Sequence, residues 1–265
     1  MRPTLELDRL SFALALIGLG VLGVVFADFA MQWQPVPDWL PARHAIAYLS
    51  AAVLLFTGVG ILLPRGQALA SRVLSVYSLL WLALKVPPLI THPLFEANWL
   101  GAGELALIAA ACWVLATSNP RQRRIAKYVF AISLIPIGLS HFFYRPETLV
   151  FVPTWLPFRS FWANLGGAGH IAAGLGVLLG IVARLAATLE AAMIGAFTAL
   201  VWLPGVLNAP TSRLQWTALF MSWLMGAAAW VVARSIAMPD ASSVDDRSVK
   251  APAGAFTAPG PTSRV

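Results

Sequence analysis

The stretch Pro153–Leu179 reads PTWLPFRSFWANLGGAGHIAAGLGVLL. A proline-bracketed Trp-Leu pair leads into an arginine, then into an apolar run rich in glycine with one histidine inside it. An earlier stretch, Pro37–Leu63, reads PDWLPARHAIAYLSAAVLLFTGVGILL and repeats the plan. Pro37, Trp39, Leu40, Pro41, Arg43, Gly58 and Gly60 recur in register as Pro153, Trp155, Leu156, Pro157, Arg159, Gly174 and Gly176. Further on, Pro87, Pro93 and Trp99 recur as Pro204, Pro210 and Trp216. Ala110, Ala111, Trp113, Val114 and Ala116 recur as Ala227, Ala228, Trp230, Val231 and Ala233. The chain reads as a duplicated unit.

The solvent of that unit follows from composition. Hydrophobic residues make up 59% of the 265 residues and charged residues 11%. A soluble domain carries about 25% charged residues. The mean hydropathy of +0.76 points the same way. A helix that crosses a bilayer needs about 20 mostly apolar residues. Eight runs qualify: Leu10–Ala27, Arg43–Leu63, Leu69–Ile90, Trp99–Thr117, Ile125–Phe143, Phe161–Val182, Leu185–Leu207 and Leu214–Ala237. The first is read as a span and not a signal peptide, because Glu6 and Asp8 interrupt its n-region and because it matches the fifth.

The expected fold is an all-α membrane protein, with eight transmembrane helices arranged as two parallel-repeat four-helix bundles. An even number of spans per unit sets both units the same way up, related by an axis near the membrane normal. Residues 1–117 form the first unit, 118–127 a basic linker, and 128–237 the second unit. The Pro-, Ala- and Ser-rich tail 238–265 is expected to be disordered.

The net charge of +7 falls between the apolar runs and sets topology; it is not a nucleic-acid signal. Arg2 and Arg9, Arg65 and Arg72, Arg121, Arg123, Arg124 and Lys127, Arg184, and Arg234 lie at the N-terminus and at every second connection. The positive-inside rule then makes both termini cytoplasmic. The opposite connections, 28–42 (DFAMQWQPVPDWLPA) and 144–158 (YRPETLVFVPTWLPF), combine aromatics and prolines with few charges. They read as interfacial anchors or as lids over the bundle mouths. The single cysteine, Cys112, rules out an intrachain disulfide and a CxxC pair.

Ionisable residues inside a span are functional hypotheses by default. Lys85 and Glu104 lie at similar depths on consecutive antiparallel spans and read as an ion pair. Asp28 and His44 stand at the same end and complete a polar cluster. The matching positions of the second unit are His141, Ser160, Trp202 and Met221, so the acid and base are kept only in the first. His170 is the deepest ionisable group, on one stripe with Gly166 and Gly174, with Asn164 about two turns outward. It fits a histidine that hydrogen-bonds a quinone carbonyl, ligates haem or relays a proton. It also fits an interhelical hydrogen bond across a glycine-packed seam. Haem is disfavoured, because no second histidine is expected at that depth. Glu190 is expected near the inner surface, paired with Arg184. No catalytic motif is complete: there is no P-loop, HExxH, nucleophile elbow, CxxCH or dinucleotide fingerprint.

The four-span unit with a Gly-rich second helix after a PxWLP entrance resembles the DoxX-like family of bacterial inner-membrane proteins. The segments FRSFWANLGGAGHIAAGLGVLLG (Phe158–Gly180) and LVWLPGVLNAP (Leu200–Pro210) carry the likeness best. Many members have a single four-span unit, so the tandem copy departs from that pattern. The resemblance implies a subunit or anchor of a quinone-linked or thiol/sulfur redox system, with a soluble or membrane oxidoreductase as partner. It transfers no catalytic residue; His170, Asn164, Lys85 and Glu104 are the candidates from the residues alone. A small-molecule or lipid carrier with a cavity between the bundles, and a non-catalytic scaffold, are the other readings.

Overall fold

The computed structural model describes residues 6–236, and among these the secondary structure is entirely helical. The helices are α1 (Leu7–Phe26), α2 (Arg43–Leu62), α3 (Gln67–Thr91), α4 (Glu96–Ala116), α5 (Pro120–Phe143), α6 (Arg145–Phe151), α7 (Arg159–Leu178), α8 (Ala183–Asn208) and α9 (Arg213–Ser235). The expected tail, 238–265, lies outside the described residues. Local chemistry sets several boundaries. Asn119 caps α5 by accepting from the N–H groups of Arg121 and Gln122, with Pro120 in the first helical position. Within α8, Thr198–Trp202 is π-helical. Pro204 has no N–H to give to the turn behind it, and the wider register absorbs that break.

Seven helices, α1 to α5, α8 and α9, are long and apolar enough to cross a membrane. The protein therefore has the character of a multi-pass helical membrane protein. The sixth expected span, α7, has 20 residues but is not among the seven. Arg159, Asn164, His170 and its glycines dilute the apolar run.

Consecutive helices pack as neighbours: α1 on α2, α2 on α3 and α3 on α4, then α5 on α7, α7 on α8 and α8 on α9. Closure is not within each expected four-helix bundle. The first helix of each half rests on the last helix of the other, α1 on α9 and α5 on α4, and α4 also meets α9. The halves interlock as one body with α4 and α9 at its centre. Composition explains this: Ala109, Ala110 and Ala111 on α4 and Ala227, Ala228 and Ala229 on α9 are all buried. Small side chains let each helix take neighbours on several sides.

Similar local contacts stand at several of the positions matched in the sequence. The Trp99 indole N–H donates to the Pro93 carbonyl at 2.8 Å, and that of Trp216 to the Pro210 carbonyl at 2.8 Å. Arg43 donates to the Val36 carbonyl, and Arg159 to the Val152 carbonyl. Ala42 and Phe158, each just before its helix, hold left-handed φ values of 54° and 55°.

The two aromatic connections behave differently. The first, 28–42, folds back over its half as a strap and buries Phe29, Trp33 and Gln34. The second forms α6, none of whose residues is buried.

Candidate functional site

His170 and Glu190 form a buried pair in the second half. Glycine makes the close packing there possible: Gly138 of α5 lies against Gly167 of α7, and Gly174 against Ala131 and Leu134. His170 is 2% exposed and Glu190 1%. Their contact, Nδ1 to Oε1, is 2.6 Å. The expected Glu190–Arg184 surface pair is corrected: Arg184 is exposed, while Glu190 lies two turns into α8 on the side that buries Ala186 and Ala187.

A second histidine joins the pair, correcting the expectation that none lies at this depth. The ring centroids of His141 and His170 are 5.2 Å apart, and Phe197 packs near both rings, at 6.1 and 6.0 Å. The cause is the lean of helical side chains toward their own N-terminus. α5 and α7 are antiparallel, so His141 reaches inward while His170 reaches outward. The Gly138–Gly167 backbone contact leaves no gap for a porphyrin between the rings.

Two buried polar atoms around this point have no hydrogen-bond partner among the described residues, His141 Nδ1 and Glu190 Oε2, while His170 bonds through Nδ1. Asn164 is partly buried two turns outward and makes no bond to His170. No group of three or more His, Cys, Asp and Glu among the described residues could hold a metal ion.

Lys85 and Glu104 do come together, but through a third element. No direct ion pair joins them among the described residues. The 3-10 turn Met31–Trp33 of the strap stands between: Lys85 Nζ donates to the Gln32 carbonyl at 2.6 Å, and the Trp33 indole N–H donates to Glu104 Oε2 at 2.7 Å. Gln34 anchors the same turn by donating to Tyr77 at 2.6 Å and to Ser50 at 3.2 Å. Only the aromatic character of the loop foreshadowed these contacts.

Asp28 and His44 do not complete that cluster. Asp28 pairs with Arg43 at 2.7 Å and with Arg213 at 2.9 Å, and Arg213 also donates to the Phe29 carbonyl. Desolvation works to raise the Asp28 carboxyl, but the Phe29 N–H, Arg213 and Arg43 outweigh it and hold it below its ordinary value. His44 Nδ1 lies 2.8 Å from the Ala27 carbonyl. Glu96, at the start of α4, is 8% exposed and has neither carboxylate oxygen bonded. Cys112 is packed against Ser78, with no exposure.

A groove of about 690 Å³ opens at the surface between α8 and α9, lined by Ser11, Gly195, Thr198, Trp223 and Trp230 among others. Ser11 of α1 brings the first half to the edge of this groove.

Comparison with protein-family models, with curated proteins and with solved structures finds no match.

Proposed function

We propose that the chain is the membrane subunit of a quinone-linked redox system. It is a duplicated DoxX-like protein of a bacterial inner membrane, with α7 as its eighth span and both termini cytoplasmic. The paired Trp–Pro and Arg–Val bonds and the matching order of helix contacts support the duplication. The loop basic residues support the orientation.

One observation carries the function: a buried His170–Glu190 pair, 2.6 Å apart, joined through Nδ1 of the histidine. A buried ion pair is weak evidence for stability, and an ionisable group in a span marks a functional site. In this reading Glu190 holds the Nδ1–H of His170 and balances an imidazolium charge. His170 Nε2–H donates to a quinone carbonyl. The partner oxidoreductase supplies two electrons and the quinone takes two protons: His170 passes the first as the carbonyl oxygen gains charge, and water supplies the second and reprotonates His170. In the reverse direction Nε2 accepts a quinol proton.

The test is mild-detergent purification followed by quinone extraction and mass spectrometry of bound proteins. Native protein is expected to retain quinone or an oxidoreductase. His170→Ala is expected to lose quinone while remaining helical. Full quinone retention by that variant rejects the reading.

A carrier of lipid-phase molecules is the second reading, and the α8–α9 groove favours it. It requires flux in proteoliposomes that falls when Gly195→Trp fills the groove.

A further inference from the structure

The groove between α8 and α9 has a filled counterpart in the first half. The sequence match sets α8 against α3, as it sets Pro204 against Pro87. One face of α3 carries Leu74, Ser78 and Trp81, all buried. The matching positions on α8 are Ala191, Gly195 and Thr198, and these line the groove of about 690 Å³. Where the first half packs a leucine and an indole of its own, the second leaves the space open. A Cβ on Gly195 would meet nothing within 4 Å.

The shape and chemistry of the opening select its occupant. From Thr188 to Leu203 the lining runs about 22 Å along α8 at 1.5 Å per residue. The hydrocarbon core of a bilayer is about 30 Å thick. No lining residue is charged. The lining hydroxyls are already engaged: Thr188 donates to the Arg184 carbonyl at 2.8 Å, Thr198 donates to the Ile194 carbonyl at 2.9 Å, and Ser11 accepts from the Trp223 indole N–H at 2.9 Å. A polar solute would lose its water here without replacement bonds. A long apolar slot open to lipid takes a hydrocarbon chain.

One end of the slot is charged. Arg184 lies one turn before Thr188 and continues the stripe 188, 191, 195 and 198 on α8. It is exposed, and Glu190, the acid nearest to it in sequence, is turned to His170. At the same end Arg234 is held by Glu6 at 3.3 Å and Asp8 at 3.5 Å. The first half differs again: the position matching Arg184 is Gln67, which accepts from Arg9. The open slot goes with a cation at its mouth, and the filled slot with a neutral amide.

We infer that the groove holds one chain of an anionic phospholipid, drawn from the leaflet at the basic end of the helices, with its phosphate at the Arg184 guanidinium. The chain replaces the packing that Leu74 and Trp81 supply in the first half. The guanidinium offers the phosphate two parallel N–H donors. The inference does not depend on the redox reading. It gives the groove a resident lipid, where the carrier reading gives it a passing one.

The test places the full chain in nanodiscs of phosphatidylcholine and phosphatidylglycerol in equal parts, extracts it with mild detergent and counts retained lipids by native mass spectrometry. Native protein is expected to keep one phospholipid, with phosphatidylglycerol favoured about fivefold. Arg184→Gln, which installs the first half's residue, is expected to keep one lipid and lose that preference. Ala191→Leu combined with Thr198→Trp, which installs the first half's filling, is expected to retain no lipid. If that variant does not fold, Gly195→Leu decides, at a position with room for the side chain. Native protein without bound lipid overturns the inference. So does undiminished retention in the filled variants, or a phosphatidylglycerol preference that survives Arg184→Gln. A dimer that the filling substitutions convert to monomer also overturns it, by making a second copy the occupant.

Discussion

Gly138 and Gly167 occupy each other's side-chain space. A Cβ on Gly138 would stand 2.6 Å from the Gly167 carbonyl oxygen, and a Cβ on Gly167 would stand 2.8 Å from that of Gly138. Both obstacles are backbone, which cannot swing away. This contact sets the distance between α5 and α7, and so the distance between His141 and His170.

Gly167→Ala is therefore expected to destabilise the protein by about 1–3 kcal/mol through overpacking. The same change at Gly195 is expected to be nearly neutral, because a Cβ there meets nothing within 4 Å. Thermal unfolding of the two variants in detergent, run side by side, checks this. Equal midpoints would mean that the seam relaxes without cost.

Glu190 and His170 form a unit whose members are harmful alone. Removing one partner leaves a buried group uncompensated, at a cost of about 3–5 kcal/mol. Glu190→Leu and His170→Leu are each expected to show that loss, and the double variant to lose clearly less than the sum. A double-mutant cycle measures the difference. Additive losses would show that the 2.6 Å contact contributes nothing to the folded state.

The helices were legible because lipid imposes long apolar runs, and the Trp–Leu–Pro signposts mark their entrances. The site was less so. Its nearness to the basic loop points Glu190 to the surface. Counting from the turn instead puts His170 eight residues before the end of α7 and Glu190 seven after the start of α8, at one depth. The signal was present in the spacing. The His141–His170 approach was not, because it depends on how two antiparallel helices tilt their side chains and on where glycines let them touch. Likewise the spacing sets Lys85 and Glu104 at one level, but nothing in it announces that Gln32 and Trp33 enter between them. The interlocked closure of α1 on α9 depends on alanine faces that a helix count alone does not distinguish from any other apolar stretch.

Asp28 ties the strap to both halves through Arg43 and Arg213. Its carboxyl is held below its ordinary value when folded. The corresponding stability is fully present above the unfolded value, about pH 4, and is lost as pH falls through the lower folded value. The melting temperature of the native protein is expected to drop faster than that of Asp28→Asn below about pH 4. Above that range Asp28→Asn is expected to be the less stable of the two. Parallel acid limbs in the two melting curves would show that Asp28 is not the group that titrates.

Trp33 gives the last test, because its indole N–H is the donor that Glu104 Oε2 receives within the protein. Trp33→Phe keeps an aromatic ring in the buried place and removes the donor together with part of the indole. A partly buried carboxylate oxygen then lacks its partner, and the expected loss is about 1–3 kcal/mol. Replacing the acceptor as well removes the desolvation penalty, so Trp33→Phe combined with Glu104→Leu is expected to recover part of that loss. Thermal unfolding of the three variants reads this directly. Recovery in the double variant identifies the 2.7 Å bond as compensation for burying Glu104 under the strap. Failure to recover would mean that the indole acts by filling space in the buried core, and that Glu104 needs no donor there.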